Sequence, residues 1–166
     1  MNKSLFSAAL IATALTATAA NAAPVGLVGQ TVTAHATIVK PLTLTKMSDM
    51  DFGSIIVQDN GTVTMDTAGN ITCPATLTCS ATGTPAGYKV TGTNNQTVQV
   101  NMPNVTLTNV GNPGTPLTLV LSGPATVTLP NSGSSGTTFN IGGSMAIAAS
   151  TKDGTYAGDL AVTVNY

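Results

Sequence analysis

The chain has 166 residues and contains no arginine, no glutamate and no tryptophan. Its one histidine is His35, and charged residues make up only 7% of it, against about 25% in an average soluble protein. Each absence removes a class of function. Without arginine, and with a formal net charge of −1, there is no basic surface to neutralise phosphates, so nucleic acid is a poor partner. Without glutamate and with one histidine, most acid–base and zinc chemistries lack their usual residues. No catalytic residue, metal or cofactor is expected, and the chain does not read as an enzyme. With three tyrosines and three phenylalanines, an aromatic binding platform is thinly supplied. Long apolar runs are confined to the start of the sequence, so no membrane span is expected.

What is present is threonine, 30 residues of it, within a chain that is 42% hydrophobic. Threonine and valine are stiff at the first side-chain torsion and favour the pleated sheet. The length prior is one domain, two at most. Residues 1–22 read as an export signal: Lys3, then the apolar and small run from Leu5 to Ala20, then Ala20-Asn21-Ala22 as a cleavage site. An exported chain leaves the reducing cytoplasm for an oxidising compartment. In that oxidising setting Cys73 and Cys79 are expected to pair as a structural disulfide. Five residues lie between them, which fits neither the usual redox spacing nor a metal site.

Beyond residue 22 the pattern is strand and turn. Thr31 to Val39 alternates, with Val32, Ala34, Ala36 and Ile38 on one face. Further short alternating runs are Leu42–Leu44, Phe52–Val57, Thr62–Met65, Tyr88–Thr91, Thr97–Val100, Val105–Thr108, Leu117–Leu121, Thr126–Leu129, Thr137–Ile141, Met145–Ala148 and Tyr156–Tyr166. Turn residues divide them, among them Asp59-Asn60-Gly61, Asn112-Pro113-Gly114, Gly142-Gly143 and Asp153-Gly154. Many short strands at close spacing predict an all-β sandwich or barrel over residues 39–166. So few charges leave little to guard its edges against another strand. His35, mid-strand among threonines, reads as a half-exposed sheet residue. The aspartates at 49, 51 and 59 read as turn residues rather than calcium ligands.

Asp51-Phe52-Gly53, Gly154-Thr155-Tyr156 and the ending Val162-Thr163-Val164-Asn165-Tyr166 resemble archaic chaperone–usher pilins and the related spore coat protein U. The overall pattern is closer still to a secreted bacterial family known as domain of unknown function 4402. Phe52 and Gly53 form the most specific motif. The resemblance implies an all-β, immunoglobulin-like antiparallel β-sandwich lacking one strand, filled first by a periplasmic chaperone and then by the leading strand of the next subunit, added at an outer-membrane usher. In this sequence the donor is residues 23–38, with Val28, Val32, Ala34, Ala36 and Ile38 as plugs. The acceptor groove is bordered by the last segment, with Tyr156, Leu160, Val162, Val164 and Tyr166 at the groove or the chaperone contact. The function so implied is a structural subunit of a surface fibre or pilus, with a role in adhesion or biofilm. The alternative is a self-contained secreted or surface β-sandwich acting as an adhesin-like binding module. In that case residues 31–39 are an ordinary first strand, paired within their own sheet.

Overall fold

A computed structural model describes residue 29, residues 31–131 and residues 135–166. The expected export signal, the plug Val28 and part of the glycine- and serine-rich stretch at 132–136 lie outside the described residues. The described chain is all β, with every strand pair antiparallel. Residues 37–166 form one compact unit. Among the described residues no helix is long and apolar enough to cross a membrane.

The larger layer is one extended sheet. Its strands are β1 (Thr43–Ser48), β3 (Gly61–Met65), β4 (Ile71–Thr72), β6 (Ala86–Thr91), β8 (Val105–Asn109), β9 (Leu117–Ser122), β11 (Thr137–Ile147) and β12 (Tyr156–Ala157). The path runs β1-β6-β11-β9-β8-β12, with β3 on β11 and β4 on β3. The second layer is in two pieces that share no ladder. One piece is β10 (Thr126–Thr128), β7 (Thr97–Asn101) and β13 (Thr163–Asn165), in the order β10-β7-β13. The other is the ribbon of β2 (Ile55–Val57) and β5 (Leu77–Cys79).

The period-two pattern places the core. Val63 and Met65 of β3, Leu119 and Leu121 of β9, and Phe139, Ile141, Met145 and Ile147 of β11 turn inward and are buried. Val98 and Val100 of β7 and Val127 of β10 are buried with them in one cluster. Each such side chain contributes roughly 1.5–3 kcal/mol through burial. The outward positions of the same strands carry the threonines. Tyr88 stacks on Phe139 with ring centroids 5.8 Å apart, and its burial raises its phenol pKa above the usual value. Among the described residues the one salt bridge is Lys46 Nζ to Asp49 Oδ1 at 2.8 Å, on the surface.

The structure corrects three local expectations. Residues 31–40 form no strand and are exposed throughout, so they are not paired in a sheet of this domain. Gly142-Gly143 is not a turn but the middle of the 11-residue β11. A side chain at Gly143 would strike Val120 O and Leu119 Cδ1, so glycine is what lets β3 and β9 flank β11 closely. Tyr156–Tyr166 is not one strand: β12 joins the large sheet and β13 the small one.

Candidate functional site

Phe52 and Gly53 begin the site. Phe52 is buried in the core, and Asp51 exchanges backbone hydrogen bonds with Thr84. Gly53 N–H donates to Asp51 Oδ1 at 2.8 Å, a turn made by the aspartate side chain. Gly53 sits at φ +69 with Ser80 Oγ where a β-carbon would be. Ser80 then locks the chain to β2: Ser54 N–H donates to Ser80 Oγ, and Ser80 N–H donates to Ser54 O, both at 3.0 Å. The motif thus aims β2 across the interior face of the large sheet.

The ribbon covers that face incompletely. A cleft of about 840 Å³ opens between β2 and the run from Ala149 to Leu160. Its floor includes Leu107, Leu117, Leu119, Met145 and Ile147, from β8, β9 and β11. Ile55, Val57, Leu107, Leu117 and Leu160 are only half-buried, although they pack on the core. These apolar side chains reach the core yet stay half-exposed along the hollow.

The structure distributes the expected groove residues along one path. Tyr156 and Leu160 line the cleft, and the Tyr156 hydroxyl donates to Lys152 O at 2.9 Å. Val162 and Val164 are half-buried against the core beyond it. Tyr166 lies at the far end, 46% exposed, its hydroxyl bonded to Lys40 and Thr93. The plugs Val32, Ala34, Ala36 and Ile38 are exposed and in no strand, with Val32 92% and Ile38 90% exposed. Cys73 and Cys79 form a disulfide, with Cα atoms 6.0 Å apart. It ties β5 to the preceding loop, and β5 in turn carries β2, since Ile55 opposes Cys79.

Two residues at the cleft rim carry no signal in the strand pattern. Asn109, at the end of β8, is the one buried polar or charged side chain among the described residues. Its Nδ2 donates to Asp153 O at 2.9 Å, and its Oδ1 accepts from Gly111 N–H and Asn112 N–H, both at 3.0 Å. It fastens the 109–112 turn to the cleft wall. Gly154, the first residue of the Gly-Thr-Tyr motif, adopts φ +138 directly against that amide. An asparagine in a turn-rich chain reads as turn chemistry, so its tertiary role showed only in three dimensions.

A second, shallower hollow of about 700 Å³ involves Asp66, Thr67, Ser122, Thr138 and Asn140. Its strongest polar groups are occupied locally. Asp66 accepts from Asn70 Nδ2, Asn70 N–H and Ala68 N–H, and the bonds from Asn70 hold its carboxyl below the ordinary carboxylate value. Asn140 Nδ2 donates to Thr67 O. Among the described residues no group of histidine, cysteine and acidic side chains is placed to hold a metal.

An antiparallel sandwich with a discontinuous second layer, and a cleft between the β2 ribbon and the run from Ala149 to Leu160, defines the class. The chain belongs to the family described as domain of unknown function (DUF4402), whose model matches residues 42–166. The match begins at Leu42, just before β1, and takes in the Phe-Gly motif, the disulfide and the last strand. No curated protein and no solved structure matches the chain.

Proposed function

We propose that the protein is exported and serves as a structural subunit of a bacterial surface fibre, in which the leading segment of one copy fills the cleft of the next. The observation that carries this reading is the pairing of a half-exposed apolar cleft with an alternating segment, Thr31–Val39, that belongs to no sheet of its own domain. An extended peptide adds main-chain hydrogen bonds along a free strand edge and side chains into the hollow. β2 and β13 each have a partner on one side only.

Reach decides between filling one's own cleft and filling a neighbour's. Lys40 is fixed by Thr93 and Tyr166, and the six-residue β1 leads from there to Met50 at the cleft. That strand is about 20 Å long. Ile38 lies two residues from Lys40 and is tethered within about 7 Å of it. The plugs nearest the domain, Ala36 and Ile38, therefore act on another copy. A contact of that kind is head-to-tail and does not close on itself, so it extends into a filament. A periplasmic chaperone and an outer-membrane usher are the partners such assembly requires, the first to cover the cleft in transit.

The test uses the domain from residue 39 onward and a synthetic peptide of residues 23–38. The truncated domain is expected to bind the peptide and to gain several degrees in Tm. Leu117→Arg, which puts a charge on the cleft floor, abolishes the gain. A truncated domain that is monomeric, fully stable and indifferent to the peptide overturns the reading and leaves a self-contained exported binding module.

A further inference from the structure

Three stretches of chain meet at the pole away from the cleft. Lys40 N–H donates to Thr93 Oγ1 at 2.6 Å. The Tyr166 hydroxyl donates to Lys40 O at 2.5 Å and accepts from Thr93 N–H at 2.9 Å. Tyr166 Oη also lies 3.1 Å from Thr93 Oγ1. Both sides of the Lys40 peptide are thereby held by side chains more than 50 residues away in sequence. The three stretches come from different places in the fold. Lys40 leads into β1 of the large sheet, Tyr166 follows β13 of the small one, and Thr93 lies between β6 and β7, where the chain crosses from one to the other. The cluster is tightly packed: a side chain at Gly92 would collide with Leu42 Cδ2, the Tyr166 hydroxyl and Leu129 Cδ1.

We infer that the Tyr166 hydroxyl is a latch that fixes the root of the leading segment to both layers of the sandwich, so that a pull on that segment enters the domain as shear along β1 and β13 together. The direction follows from the fold. From the latch, Lys40 to Met50 and Tyr166 back to Leu160 both run to the cleft, since Met50 and Leu160 line it. Ladder hydrogen bonds in antiparallel pairs lie across the strands. A load between latch and cleft thus stresses the β1–β6 and β13–β7 ladders side by side, and many bonds must fail at once. With the latch gone, the pull reaches β1 alone, and the β1–β6 ladder bears the shear without the β13–β7 ladder beside it. The latch itself stands on geometry; its load-bearing role rests on the fibre reading above.

Two measurements test the inference on the full chain from Ala23. In amide exchange, Tyr166→Phe keeps the ring and removes the hydroxyl. Exchange is expected to speed up about tenfold at Thr93 and also at Lys40 and at the β1 amides that face β6, the factor that loss of one hydrogen bond gives. Val63 and Ile141 should not change. Thr93→Val, which removes the acceptor for Lys40 N–H, should reproduce the effect at Lys40. A change at Thr93 alone, or an equal change at every amide, overturns the latch. In single-molecule pulling between handles at Thr31→Cys and Lys152→Cys, both exposed positions, the parent should break in one step. Tyr166→Phe should give at lower force, because one ladder then bears the load that two shared; identical traces overturn the load path. If both results hold but the truncated domain ignores the 23–38 peptide, the latch stands and the fibre reading falls.

Discussion

One half of this sandwich is finished and the other is not. Under the three-stranded piece, Val98, Leu129 and Ile141 are at most 1% exposed. Along the cleft, Leu107, Leu117 and Leu160 carry equally apolar side chains that remain half-exposed, while Leu119, Met145 and Ile147 of the same lining are buried. The difference is not composition but coverage, three strands against two. The edges tell the same story. The outer edge of β1 is protected by an irregular register between Lys46 and Ser48 and by the Lys46–Asp49 ion pair, devices that discourage strand addition. The strands bordering the cleft, β2 and β12, contain no charged residue. The cleft itself is not free of charge, since Asp51, Lys152 and Asp153 line it.

The largest expected contrast comes from cutting matching side chains in the two halves. Ile141→Ala, in the finished half, should cost about 3–4 kcal/mol in chemical denaturation, the usual range for a fully buried residue. Leu107→Ala, on the cleft floor, should cost about 1 kcal/mol, because a half-exposed side chain leaves no sealed cavity. Equal losses would erase the distinction between the halves. Between these two lies the disulfide. Replacing Cys73 and Cys79 with alanine should cost roughly 2 kcal/mol through the short loop they close. It should also loosen β2 more than β13, which exchange at Ile56 and Val164 would reveal. The smallest effect is at Asp66. Its folded carboxyl sits below its ordinary value of 3.8, so the charged form stabilises the fold above that value and the contribution fades as pH falls through the lowered one. A thermal titration from pH 5 downward should show a shallow decline in Tm that Asp66→Asn lacks.

Much of this was legible in the residues. Alternation such as Thr62–Met65 and Thr97–Val100 placed core strands correctly, because each has one buried face and one solvated face. The pairing of Cys73 with Cys79 followed from compartment and proximity. The cleft was legible only as a missing strand along the final segment. Its floor comes from β8, β9 and β11, and no local pattern reports that three separated strands share an uncovered face. Residues 31–39 have the same alternation as true strands yet form none, since alternation reports which side chains share a face and not whether a strand lies alongside to pair with. Gly142-Gly143 misled for a steric reason: glycine marks a turn in one setting and a crowded crossing in another. Tyr166 was placed at a chaperone contact, while its hydroxyl bonds run to Lys40, 126 residues away, a separation that periodicity cannot span.

The Lys46–Asp49 ion pair, the one among the described residues, has a consequence for the surroundings this molecule tolerates. Dissolved salt weakens proteins chiefly by shielding attractions between exposed ions, and here there is almost nothing to shield. Its folding, and any joining of one copy to another through threonine hydroxyls, peptide groups and apolar contacts, should hold equally in dilute and in briny water.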